Sequence, residues 1–135
     1  RVAVNPLDNR SAETTAGTIF TNALIQEILG KTDTQVVDES RAEAVFIGTI
    51  QSITFHTLSR STVESVLERT VAAVVDLKLV DADGNKLWSV QNYAVHEAYT
   101  VNANTITDES NKREALEKIA QRSAEKLISQ TRVDF

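Results

Sequence analysis

The chain has 135 residues, of which 41% are hydrophobic and 24% are charged, and its formal net charge is −5. These values predict one globular domain over residues 1–135 with a continuous core, and they argue against extensive disorder and a membrane-spanning segment. The acidic balance argues against nucleic acid as a partner, because phosphate binding needs a basic surface, and a chain without cysteine forms no disulfide.

The amino-terminal part of the chain predicts a strand, a turn and a helix. Val2–Val4 is typical of a short strand, and residues 5–9 are typical of a turn because they contain proline. Apolar residues then recur at helical spacing over residues 11–29, with Ser11 as the candidate cap and Gly30 as the stop. The predicted helix face comprises Ala16, Phe20, Ala23, Leu24, Glu27 and Ile28.

The middle of the chain predicts four strands. They cover residues 34–38, 44–57, 69–80 and 86–101, and the last two are joined by a tight turn in which Gly84 supplies a positive φ. Alternation is clearest in the third of these strands. Its apolar face comprises Val71, Ala73, Val75, Leu77 and Leu79.

A final amphipathic helix is predicted over residues 109–131. The element order is then β-α-β-β-β-β-α, which indicates an α+β fold with a mixed, mostly antiparallel sheet and both helices packed on one face. The apolar face of the last helix comprises Leu116, Ile119, Ala120, Ser123, Leu127 and Ile128.

The sequence offers no recognisable pattern of catalytic or metal-binding residues. Its two histidines, His56 and His96, fall near the ends of predicted strands, where we expect surface or edge positions. A metal or catalytic site is the weaker alternative and requires both to converge with Glu97. Serine-hydrolase, zinc-protease and nucleotide-binding motifs are missing, so we expect a non-catalytic protein without metal or cofactor.

Basic residues on the last helix form a stripe at four-residue spacing. Lys118, Arg122 and Lys126 make up this stripe, and Lys112 and Arg113 precede it. The stripe is either a solvated outer face with neighbouring glutamates or a surface for an anionic partner such as lipid phosphate.

A second basic locus lies in the connection between the two long central strands, residues 57–64. Leu58, Arg60 and Val63 in this loop, with Arg69 after it, combine charge with apolar atoms. The loop is either a flexible tip or a contact for an amphiphile.

Six regions, taken in order, resemble the lipopolysaccharide-assembly lipoprotein (LptE) family. The resemblance covers nearly the whole chain, and it rests on the order of these regions because none is diagnostic alone. The regions are residues 9–11, 20–25, 42–50 and 79–88, then Tyr99, and residues 114–120 with Glu114, Ala115, Leu116, Ile119 and Ala120.

The resemblance implies a lipid-anchored protein on the periplasmic face of the outer membrane. Such a protein sits inside the LptD β-barrel, assists its assembly and binds lipopolysaccharide. The family's lipid-modified cysteine is missing here, so we expect the anchor upstream of Arg1. Basic residues near the central hairpin are implicated in the family, which adds Arg60 and Arg69 to Lys118, Arg122 and Lys126 as candidate ligands.

The alternative resemblance is to other periplasmic lipoprotein binding modules, of the TolB amino-terminal or curli-secretion type. They share the sequence pattern of residues 42–50, in which alanines precede Val-Phe-Ile-Gly-Thr-Ile. Both resemblances imply binding without chemistry.

Overall fold

The computed structural model describes residues 1–60, 67–101 and 104–131, with the backbone alone at residues 58–60 and 67. Two helices and five strands make up this part of the chain, apart from one short 3₁₀ turn at Glu39–Arg41. In chain order the elements are β1 (Val2–Val4), β2 (Asp8–Asn9), α1 (Ala16–Lys31), β3 (Ala44–Arg60), β4 (Leu67–Asp81), β5 (Lys86–Val101) and α2 (Thr105–Thr131).

The five strands form one mixed sheet. β1 and β2 both pair in parallel with β3, whereas β3, β4 and β5 form an antiparallel meander. The strand order across the sheet is β1-β3-β4-β5, and β2 pairs with β3 beyond the end of β1. The α+β fold predicted from the sequence is therefore confirmed.

Both helices bury their apolar faces on the same side of the sheet. α2 packs against β4 and β5, and α1 packs beside α2 and against β1 and β2. The predicted β4 face, from Val71 to Leu79, is at most 2% exposed, and every predicted face residue of α2 is buried. Burial contributes about 1.5–3 kcal/mol for each valine, leucine or isoleucine among these residues. The residues surrounding one point of this core are Leu7, Phe20, Leu24, Val75, Leu77, Ala120, Ser123, Ala124 and Leu127.

The start of α1 differs from the prediction, because local hydrogen bonds hold the preceding residues in another conformation. The Asn9 carboxamide accepts from the Ser11 amide at 3.0 Å and donates to the Glu13 carbonyl at 2.7 Å. The Ser11 hydroxyl accepts from the Glu13 amide at 3.2 Å. Side chains of this kind compete with the helix for backbone groups. The helix therefore begins at Ala16, and the prediction that Ser11 caps it was wrong.

The end of α1 also lies beyond the predicted stop. Gly30 is helical, and the chain leaves the helix after Lys31, where the Thr32 hydroxyl and amide both donate to the Ile28 carbonyl. The helix is stopped by this threonine and needs no glycine there.

The predicted strand over residues 34–38 is reduced to one parallel bridge between Val36 and Val2. β1 is only three residues long, so it offers few backbone groups on its outer edge. After the proline, the chain pairs with β3 again at Asp8–Asn9 (β2), where the sequence predicted a turn.

Irregularities in β3 and β5 lie close to Asp76, on the two strands that flank β4. The register of β3 shifts at Gln51, and that of β5 shifts at Asn92, whose φ is 58°. Between them, the Asp76 carboxylate accepts from the Gln51 side-chain nitrogen at 2.7 Å and from the Asn92 amide at 2.8 Å. These two bulges are thereby joined across β4.

α2 begins at Thr105, four residues before its predicted start. The Asn104 carboxamide oxygen accepts from the amides of Ile106 at 3.0 Å and Thr107 at 3.3 Å, which satisfies two donors of the first turn. Within the described ranges, neither helix combines the length and the hydropathy needed to cross a bilayer.

Candidate functional site

The basic stripe on α2 is exposed at both of its ends. The Lys118 ammonium lies 3.8 Å from the Glu114 carboxylate, an exposed pair of the kind that contributes little stability. Lys126 is exposed and forms no ion pair with any residue that the structure describes. Eight residues separate the two lysines, so their α-carbons lie about 12 Å apart along the axis.

Arg122, the middle member of the stripe, is bound to strand β5. Its Nη2 lies 3.0 Å from the Glu97 carboxylate and donates a hydrogen bond to the His96 carbonyl. Glu97 is 26% exposed, so this contact is partly sheltered from solvent. The guanidinium is thus a tie between helix and sheet, and the stripe does not present three equivalent free cations.

His56, His96 and Glu97 do not converge. Successive side chains of a strand point to opposite faces, and Glu97 pairs opposite Val71 on the helix-covered face. His96 therefore points to the outer face with His56, and these two histidines are exposed on strands separated by β4. Among the described residues, no group of three or more histidine, aspartate or glutamate side chains is placed to hold a metal ion.

The basic locus at the central hairpin occupies the far end of β3 and β4. Backbone register places Arg60 opposite Leu67 and Arg69 opposite Thr57, so the two arginines lie on neighbouring strands. Arg69 is exposed. Val63 and the side chains of Leu58 and Arg60 lie outside the described residues.

Lys112 is enclosed rather than displayed. Its ammonium lies 2.8 Å from the Glu13 carboxylate and 4.9 Å from the centre of the Phe55 ring, and its side chain is 24% exposed. The hydrogen bond to Glu13 raises the pKa of Lys112 above its ordinary value of 10.5. Arg113, beside it, pairs with Glu117 at 3.1 Å. Lys112 therefore holds separate parts of the fold together, whereas Arg113 forms an exposed ion pair within α2.

The sequence reasoning missed a pair of lysines on the outer sheet face. Lys78 of β4 and Lys86 of β5 line one groove with Thr49, Asp76 and Ser89. The Asp76 carboxylate there accepts hydrogen bonds from Gln51 and Asn92. Both lysines are exposed, and neither forms an ion pair with a residue in the described part of the chain. The signal was present, because a hairpin turn at residues 81–84 brings residues on its two sides together.

Comparison with known families agrees with the resemblance seen in the sequence. The sequence model of the LptE family, described as lipopolysaccharide-assembly, matches residues 1–131 of this chain. The chain belongs to the LptE family. The match includes both helices and all five strands, so every candidate residue above lies within the LptE region.

Three solved structures share the fold of this LptE chain. A putative lipoprotein from Caulobacter crescentus aligns with a TM-score of 0.63 and 14% identity, covering 93% of the LptE chain and 87% of its own. Uncharacterized lipoprotein B from Nitrosomonas europaea gives 0.56 and 18%, covering 96% and 81%. Rare lipoprotein B from Shewanella oneidensis gives 0.56 and 13%, covering 93% and 92%. No curated protein matches the sequence of this chain.

Proposed function

We propose that this LptE domain is a non-catalytic module that binds lipopolysaccharide and acts with the LptD β-barrel at the periplasmic face of the outer membrane. The observation that carries the proposal is the family match over residues 1–131, whose description is lipopolysaccharide assembly. The geometry supports it with exposed cations that form no ion pair with a carboxylate among the residues that the structure describes.

The free cations fall into separate loci. Lys78 and Lys86 share the outer sheet groove, and Arg69 lies nine residues from Lys78 along β4, a distance of about 30 Å. Lys126 is on α2, on the helix-covered side of the sheet. One phosphate group cannot bridge the outer groove and the hairpin, so each locus makes an independent contribution.

Phosphate recognition by lysine and arginine is strongest where charge-assisted hydrogen bonds form without competition from a carboxylate. By this criterion the preferred lipopolysaccharide-binding residues are Lys78, Lys86, Arg69 and Lys126. Arg122 ranks below them, because an anion would have to displace Glu97 from its guanidinium. Arg60 is kept with Arg69 because the backbone places both at one end of the hairpin.

Lipopolysaccharide binding by the purified chain tests the proposal, with charge-reversed pairs measured at fixed salt. We expect Lys78→Glu plus Lys86→Glu, or Arg60→Glu plus Arg69→Glu, to weaken binding about tenfold, which is about 1.4 kcal/mol. Arg10→Glu plus Arg41→Glu is the matched control, with the same charge change at exposed arginines that already pair with Asp8 and Asp38.

An unchanged affinity in one pair excludes that locus as the ligand site. Unchanged affinity in both pairs and in Lys126→Glu contradicts the assignment of binding to these cations, and a wild-type chain without saturable binding contradicts the proposal itself. Co-purification with the LptD barrel tests the partner separately. A barrel that does not retain the domain contradicts that part.

A further inference from the structure

Strand β5 is a long edge strand. It spans 16 residues, and in the described part of the sheet it pairs with β4 alone. Residues 90–101 contain one formally charged side chain, Glu97, and neither proline nor glycine. Exposed edges of this composition are templates for pairing with another chain, and proteins ordinarily block them.

Two side chains of α2 donate hydrogen bonds to backbone carbonyls that point outward from this edge. Arg122 donates to the His96 carbonyl, and the Asn111 carboxamide nitrogen donates to the Thr100 carbonyl at 3.0 Å. Backbone groups of a strand alternate between its two edges, so those of Ala98 also point outward. The helix therefore covers the edge on both sides of Ala98.

The edge is compatible with a second copy of itself. Antiparallel pairing of two β5 strands about Ala98 sets His96 against Thr100 and Glu97 against Tyr99 of the other copy. No like charges face each other in this register, which is the arrangement that cross-strand pairing favours. Ala98 is small and exposed, so its side chain offers no steric block.

We propose that Arg122 and Asn111 guard the edge of β5 against antiparallel pairing with β5 of a second copy of this chain. The guard acts through hydrogen bonds to backbone carbonyls, and the Arg122–Glu97 ion pair holds the guanidinium in place. It does not rest on the proposed function, since it uses hydrogen bonds to backbone carbonyls and none of the residues preferred for lipopolysaccharide binding.

Analytical ultracentrifugation of Arg122→Ala plus Asn111→Ala tests the guard. We expect self-association to strengthen about tenfold or more relative to wild type. Arg113→Ala plus Gln121→Ala is the matched control and leaves association unchanged, because these two side chains bond to glutamates within α2. Adding Ala98→Pro to the double variant is expected to return association to the wild-type level. Proline removes an amide that points outward and leaves the hydrogen bonds between β4 and β5 intact.

Asn111→Ala alone keeps the Arg122 contacts, and we expect a smaller strengthening in the same direction. This single variant decides the matter if the double variant does not fold. Association no stronger than wild type in the folded variants overturns the proposal. So does association that persists undiminished after Ala98→Pro, because pairing then does not use this edge.

Discussion

At Gly48 of β3, the sheet leaves no room for a side chain. A Cβ at this position lies 2.8 Å from the Asp76 carbonyl oxygen and 2.9 Å from Leu77 Cδ1. Because the first of these neighbours is backbone, we expect Gly48→Ala to lower the free energy of unfolding by about 1–3 kcal/mol. Urea unfolding measures this loss.

Gly30 is the control for Gly48. It lies in the last turn of α1, where an added Cβ meets nothing within 4 Å. Gly30→Ala is expected to raise stability by about 0.5–1 kcal/mol through helix propensity. Equal losses at both positions contradict the steric explanation for Gly48.

The cations show what residue-level reasoning from sequence can and cannot give. Helical spacing correctly put Lys118, Arg122 and Lys126 on a common stripe away from the buried face. It gave no information on Glu97, which reaches Arg122 from a strand 25 residues earlier in the chain. The partner of a surface charge depends on tertiary packing. Only the structure therefore shows that Arg122 pairs with Glu97 and that Lys78 forms no ion pair with a described residue.

Among the elements, the β4–β5 hairpin depends on one backbone conformation. Gly84 has a φ of +83°, with open space around it, so a substitution there is strained but not crowded. Gly84→Ala is expected to lower stability by about 1–2 kcal/mol. Gly84→Asn loses less, because asparagine tolerates left-handed conformations. Thermal unfolding ranks the three proteins, and an alanine variant as stable as wild type contradicts this account.

Elements with strong periodicity were predictable, whereas boundaries set by local side-chain hydrogen bonds were not. The alternation in β4 and the apolar face of α2 follow directly from burial on one side. The delayed start of α1 depends on the bonds among Asn9, Ser11 and Glu13. β2 was hidden for a related reason, since its residues are polar and its pairing comes entirely from β3.

For the whole molecule, Lys112 connects three separate parts of the chain. It joins α2 to Glu13 before α1 and to Phe55 of β3. We expect Lys112→Met to cost about 1–2 kcal/mol of unfolding free energy, because a partly buried charge-assisted bond and a cation–π contact are lost. A double-mutant cycle with Glu13→Gln isolates a coupling of about 1 kcal/mol.

The pH dependence of that coupling follows from the raised pKa of Lys112. The contribution is complete below the unfolded value near 10.5 and is lost as pH rises through the higher folded value. Coupling at pH 7 and at pH 9 is therefore expected to be the same, with a decline only above about 10.5. The exposed Arg113–Glu117 pair is the control, with an expected coupling of about 0.3–0.5 kcal/mol. A Lys112 coupling no larger than this contradicts its assigned role.

The hydrogen bonds at Asp76 give the three-stranded meander a reference point in its own middle. Gln51 and Asn92 reach the same carboxylate from the two neighbouring strands, so the alignment of all three strands is set far from either connecting loop. Lengthening a loop then does not slide one strand past another. A change in the length of the β3–β4 connection is therefore expected to leave the pairing of the three strands unchanged.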